Sequence, residues 1–105
     1  MEIVDFGPHS WFLIQEGESL LLDVNCSHGA VDYDFQIELN ESERAEYVHG
    51  RRNYLDRLAH AIHYSAPGVI GSTSAYKSRR LEASRAAGMQ ETILTWVKEH
   101  DQLAN

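Results

Sequence analysis

Val31-Asp32-Tyr33-Asp34-Phe35-Gln36-Ile37-Glu38-Leu39 alternates without a break, apolar at odd positions and polar at even ones. A two-residue period is the mark of a strand with one buried and one solvated face. The stretch before it follows the same rule, since Leu20, Leu22, Val24 and Cys26 share one parity between Ser19 and Cys26. Further upstream, Trp11-Phe12-Leu13-Ile14-Gln15-Glu16 is aromatic and branched, which suits a third strand, and residues 2–6 offer a short edge strand.

The connections suggest how these strands pair. Gly17-Glu18 fits the Gly-X loop of a type II′ hairpin, pairing Glu16 with Ser19, Ile14 with Leu21 and Phe12 with Asp23. A turn at Ser27-His28-Gly29-Ala30 pairs Cys26 with Val31, Val24 with Tyr33, Leu22 with Phe35 and Leu20 with Ile37. Both hairpins then place Trp11, Leu13, Leu20, Leu22, Val24, Cys26, Val31, Tyr33, Phe35 and Ile37 on one face. The other face carries Phe12, Ile14 and Leu21, which calls for a covering helix or a partner.

Beyond residue 39 the period becomes helical. Asn40 is suited to cap a helix, with Glu43 three residues on as its capping-box partner. Val48, Leu55, Leu58, Ala59 and Ile62 form one stripe, flanked by Tyr47 and Tyr54, and Pro67-Gly68 ends the helix. Gly50 is a weak point at which a kink is expected. Residues 65–74 read as a loop holding a short extended piece at Val69-Ile70. A second helix is expected from about Ser78 to His100, with Ala86, Met89, Ile93, Trp96 and Val97 as its stripe. Strands followed by helices give an α+β class: an antiparallel meander of three to four strands with two helices packed on it. Residues 1–105 form a single domain, 1–39 sheet and 40–105 mainly helical, and a chain of this length builds one core.

Composition narrows the function classes. A hydrophobic content of 43% and a charged content of 24% are those of a folded globular domain. The single cysteine, Cys26, excludes an internal disulfide and a cysteine-only metal cage. No apolar run approaches the roughly 20 residues of a membrane span. Met1-Glu2-Ile3-Val4-Asp5 is acidic where a secretory signal is basic, so a cytoplasmic protein is expected. The net charge of −7 is unevenly spread: residues 1–43 hold ten acids and no Lys or Arg, whereas 44–105 hold nine bases against six acids. An acidic half disfavours nucleic acid and anionic lipid and favours a basic protein or a divalent cation held by oxygen ligands.

The proposed register sets Asp23 across from Asp34 and Asp32 across from Asn25 on the outer face, with Glu16 and Glu38 continuing the acidic strip. Like charges opposed on a sheet are unfavourable, and such conflicts concentrate at functional sites. Glu16, Asp23, Asp32, Asp34 and Glu38 are therefore the candidate partner-binding residues. A second constellation, His49, Asp56, His60 and His63, falls within roughly 60° on an ideal helix and would suit a metal site, although it lies opposite the apolar stripe where solvated residues belong. Cys26 points inward, and its neighbour His28 would activate it only if it were exposed. Lys77, Arg79, Arg80 and Arg85 make a modest basic cluster better suited to pairing with internal acids than to nucleic acid. Gly68-Val69-Ile70-Gly71-Ser72-Thr73-Ser74 lacks the Lys of a phosphate-binding loop, and no nucleophile elbow is present. Neither a catalytic residue, a metal ligand set nor a cofactor is assigned.

The acidic meander, the helix opened by Leu39-Asn40-Glu41-Ser42-Glu43, and the Gly50 and Leu55–Ile62 segment together resemble the small immunity proteins of bacterial toxin–immunity systems, those of contact-dependent growth inhibition in particular. The resemblance spans roughly residues 10–63 and is one of size, charge and pattern. It implies a cytoplasmic, non-enzymatic inhibitor that binds a basic toxin domain, such as a ribonuclease, and covers its active site. The alternatives are a small metal-binding or hydrolytic enzyme using the histidine face, or an adaptor that dimerises through Phe12, Ile14 and Leu21.

Overall fold

The computed structural model describes residues 1–8, 10–28 and 31–104, the side chains of residues 28, 31 and 101–104 excepted. Four strands, β1 (Glu2–Gly7), β2 (Trp11–Glu16), β3 (Ser19–His28) and β4 (Val31–Glu38), pair in chain order as an antiparallel meander. Helix α1 (Glu41–Ser65), a short 3-10 turn (Lys77–Arg79) and helix α2 (Ala83–Ala104) follow, which completes the expected α+β class.

The β2–β3 register is the one read from the sequence: Phe12 faces Asp23, Ile14 faces Leu21 and Glu16 faces Ser19. Gly17 sits at φ 59°, a conformation glycine adopts without steric penalty, and Glu18 keeps a negative φ, as the II′ loop requires. The β3–β4 register differs from expectation by two residues. The strands run on to His28 and Val31, so the connection shortens to residues 29–30, which lie outside the described residues. Carrying the ladder further satisfies backbone groups that a four-residue turn would leave unpaired. Cys26 therefore faces Tyr33, Val24 faces Phe35 and Leu22 faces Ile37. An even slip leaves every side chain on its assigned face, which is why the core survives the correction. The outer-face partners do change. Asp23 faces Gln36, Asn25 faces Asp34 and Ser27 faces Asp32, so the expected Asp23–Asp34 opposition is not formed.

Helix α1 covers the inner face. Leu55, Leu58, Ala59 and Ile62 join Trp11, Leu13, Leu22, Val24, Phe35 and Ile37 in the main core. The capping box forms in full: the Glu43 N–H donates to Asn40 Oδ1 at 2.8 Å, and the Asn40 N–H donates to Glu43 Oε1 at 2.9 Å. The anticipated kink lies at Arg51, whose backbone leaves helical geometry at φ 50°, ψ −131°. It folds the chain so closely that a Cβ on Gly50 would stand 2.7 Å from Tyr54 Cβ, so glycine is required there. The kink also breaks the helical phase. Val48, seven residues before Leu55, is 59% exposed instead of sharing its stripe.

Helix α2 covers the outer face, with Met89 and Ile93 packed on Ile14, Leu21, Leu81 and Ile3. Further along, Trp96 meets Phe6 and Phe12 at ring-centroid distances of 4.9 and 5.7 Å. Val97, expected on this stripe, is exposed. The helix begins five residues later than the sequence suggests. Arg80 instead bridges to Ile37 at the free edge of β4, and the Leu81 N–H donates to the Gln36 carbonyl at 2.9 Å. Occupying an edge donor and acceptor outweighs helix propensity in this short segment. The expected extended piece at Val69-Ile70 is a run of turns, with Val69 N–H bonded to Ala66 O and Ser72 N–H to Val69 O.

Phe35 is fully buried, so Phe35→Ala is expected to cost roughly 3–5 kcal/mol in denaturant unfolding. Arg51→Gly relieves a positive-φ strain and is expected to stabilise the fold by roughly 0.5–1 kcal/mol despite losing the Arg51–Tyr47 stack. A lower unfolding midpoint for Arg51→Gly would show that the stack outweighs the strain.

Candidate functional site

The five candidate acids separate into two groups. Glu16 and Glu38 are both taken up by Arg85 at the start of α2, at 2.7 and 3.0 Å. Ser19 Oγ also donates to Glu38, at 3.3 Å. These two carboxylates fasten α2 to the β2–β3 turn end of the sheet. Asp23, Asp32 and Asp34 lie toward the opposite end, where β3 and β4 extend past β2.

That end is open because α2 does not follow β3 and β4. Its aromatic residues carry it toward β1, and the corner beyond Ile93 is left uncovered. A cleft of about 390 Å³ results, lined by Asp23, Asn25 and Asp34 from the sheet and by Gln90, Ile93 and Leu94 from α2. Ser10, Trp11 and Phe12 close its third side. Asp34 and Asp32 are exposed, whereas Asp23 is only 3% exposed.

Asp23 accepts a 2.8 Å hydrogen bond from Gln36 Nε2 onto Oδ2. Burial pushes its carboxyl up to about 7, against the lowering effect of Gln36 and with a further upward push from Asp34. Burial raises Asp34 as well. Neither the β2 wall, Phe12, nor the α2 wall, Gln90, Ile93 and Leu94, brings a cation to this pair. Two carboxylates thus share an apolar-walled corner with no internal counter-charge among the described residues.

Two further arginines pair with acids away from this corner. Arg52 binds Asp5 at 2.6 Å, and Arg79 holds Glu43 through both terminal nitrogens. Burial pulls Asp5 and Glu43 upward, but these hydrogen bonds prevail and hold both carboxyls below their ordinary values. The basic cluster therefore pairs internally through Arg79 and Arg85, as its composition suggested.

Of the histidine constellation, Asp56, His60 and His63 line one cleft of about 510 Å³ beside Trp11 and Ser27, and His49 is not part of it. His49 lies before the kink, while Asp56 accepts from Trp11 Nε1 at 2.8 Å. His63 Nε2 lies 2.8 Å from the Ser27 carbonyl, and His60 stacks on Tyr64. Among the described residues no group of three His, Cys, Asp or Glu side chains is placed to hold a metal ion. Burial pushes the Cys26 thiol up to about 11, which leaves it protonated and a poor nucleophile at neutral pH.

Gln36, Asn25 and Gln90 complete the corner and were not singled out by sequence. The signal for Gln36 was present, since it shares outer-face parity with Asp34, but the two-residue slip hid its place opposite Asp23. Gln90 could be found only once the path of α2 was known. Comparison of the chain with protein-family models, curated proteins and solved structures finds no match. No helix among the described residues is long and apolar enough to cross a membrane.

A carboxyl raised from 3.8 to about 7 gives a defined pH dependence. The fold binds the proton more tightly than the unfolded chain, so this contribution is fully present below about 3.8. It is lost as pH rises through 7. Asp23→Asn keeps an acceptor for Gln36 and removes the buried charge. It is expected to match the parent protein near pH 4 and exceed it by roughly 1–4 kcal/mol at pH 8, measured by urea unfolding. Equal stability at both pH values would mean that the corner is better hydrated than its burial indicates.

Proposed function

We propose that this chain is a non-enzymatic binding protein that neutralises a basic protein partner, in the manner of a toxin–immunity pair, its partner being a toxin domain such as a ribonuclease. The observation that carries the reading is the uncovered β3–β4 corner. It presents Asp32 and Asp34 outward beside the buried Asp23, while Arg52, Arg79 and Arg85 are spent on internal pairs. Exposed carboxylates without internal partners are the groups that meet lysines and arginines of another molecule. A nuclease holds its anionic substrate with such side chains, so occupying them blocks the active site without chemistry.

Within this reading the interface centres on Asp32 and Asp34, with Asp23 behind them. Glu16 and Glu38 contribute indirectly, by holding α2 in the position that leaves the corner open. The hydrolase alternative draws no support from the histidine face, where Asp56 and His63 already have internal partners.

The test is the affinity of the purified chain for the product of the reading frame adjacent to its gene, at low and at physiological salt. Asp32→Lys combined with Asp34→Lys is expected to weaken binding roughly 10–100-fold at low salt, chiefly by slowing association. The melting temperature should hold or rise, because the raised Asp34 carboxyl is removed. Unchanged affinity would place the interface elsewhere, and absence of any basic protein partner would overturn the reading.

A further inference from the structure

We propose that the cleft between α2 and the outer faces of β3 and β4 is a receptor for a single guanidinium group, an arginine side chain presented by the partner. Asp23 and Asp34 would take the charged end, while Phe12, Ile93 and Leu94 line the alkyl stem. This deepens the neutralisation reading and rests on it for the owner of the arginine.

The first support is the state of Asp23. A carboxylate has room for about four hydrogen bonds, and buried polar groups are normally satisfied. Gln36 reaches only Oδ2, and no donor among the described residues reaches Oδ1, although the residue is only 3% exposed. A buried acceptor is thus left open in the wall of a cleft that leads to solvent.

The second support is the composition of the walls. The cleft, at about 390 Å³, is at the small end of ligand sites, which run from about 300 to 1,000 Å³. Its two carboxylates reject anions, and Asn25 and Gln90 add neutral acceptors beside them. Its remaining lining, Ser10 apart, is aromatic and aliphatic, which suits a long stem ending in a charge. A divalent ion fits poorly: calcium takes six to eight oxygen ligands, whereas no three acidic or histidine side chains converge among the described residues. Guanidinium is the better cation, because it is weakly hydrated and carries several N–H groups in one plane. It therefore tolerates the partly desolvated corner that a strongly hydrated ammonium resists.

Titration of the ¹⁵N-labelled full chain with ethylguanidinium chloride at pH 8 tests the site. The side-chain amides of Asn25, Gln36 and Gln90 are expected to shift saturably, with a dissociation constant of roughly 1–100 mM for so small a probe. Asp34→Asn, a change at an exposed position, should weaken binding about tenfold, and Asp23→Asn should abolish it. Glu18→Gln, which removes one negative charge from the distant β2–β3 turn, should leave it unchanged. N-ethylurea should produce no saturable shift. The proposal falls if ethylguanidinium gives none up to about 0.1 M, if binding persists in both aspartate variants, or if ethylammonium binds equally well. The outcome is separable from that of the wider reading. Ethylguanidinium bound in the cleft alongside partner affinity indifferent to Asp32→Lys with Asp34→Lys leaves the cleft standing as a guanidinium site and places the partner interface elsewhere, whereas absence of any basic partner removes the neutralisation reading alone. The reverse pattern keeps the neutralisation reading and removes the cleft.

Discussion

The centre of the sheet is apolar on both sides, and the rest of the molecule answers that constraint. Leu13 pairs with Leu22 on one face, and the adjacent Ile14 pairs with Leu21 on the other; all four are fully buried. A meander with one wet face would need polar residues at Ile14 and Leu21. Because it has none, a single helix cannot complete the fold, and the two helices must take opposite faces. Helix α1 takes the larger inner core, and α2, a small cluster around Met89, takes the outer one.

The uneven distribution of charge along the chain is largely a device of assembly. An acidic sheet half and a more basic helical half attract one another, and three arginines convert that attraction into fixed contacts. Arg52 holds α1 to the β1 carboxylate of Asp5, Arg79 ties the segment before α2 to the cap of α1, and Arg85 binds α2 to β2 and β4. Arg79 also donates to the Glu38 carbonyl at 2.9 Å, so one guanidinium joins a strand end to a helix start. Partly buried arginines with carboxylates orient elements more than they stabilise them, since desolvation offsets much of the attraction. Asp23, Asp32 and Asp34, at the open corner, are left out of this pairing.

The features set by local periodicity were legible in the sequence: strand faces, the β2–β3 register through Gly17-Glu18, the Asn40–Glu43 cap and the weak point at Gly50. Those set by distant partners were not. The β3–β4 register could not be read because parity is blind to an even slip, and only continued pairing to His28 and Val31 decides it. Val48 was misplaced because the phase of a helix is lost at a kink, which the presence of Gly50 signals without giving its angle. The start of α2 was displaced because Arg80 and Leu81 find a strand edge, a contact that local propensity does not encode. For the candidate site, the common sheet face of the five acids was legible from parity, but not the different contacts each of them makes. Arg85 lies far along the chain from Glu16, and nothing local to either residue announces their contact.

The same arrangement explains why the acidic corner persists. Helix α2 is fixed at its start by Arg85 and toward its other end by Trp96 on Phe6 and Phe12, so its line across the sheet runs from β4 toward β1. A helix on that line covers Ile14 and Leu21 but cannot also cover the far ends of β3 and β4. An apolar residue at position 23 would extend the outer core smoothly toward that corner. The chain instead has an aspartate there, held by Gln36 and destabilised by burial at neutral pH. A valine or leucine at that position would remove the cost of desolvating a carboxyl, and the buried positions of this sheet, Gln36 opposite it apart, are filled by apolar residues or glycine. A buried acid retained against local stability, at the rim of an open cleft and beside a second acid, is the pattern expected where a cation from outside completes the site.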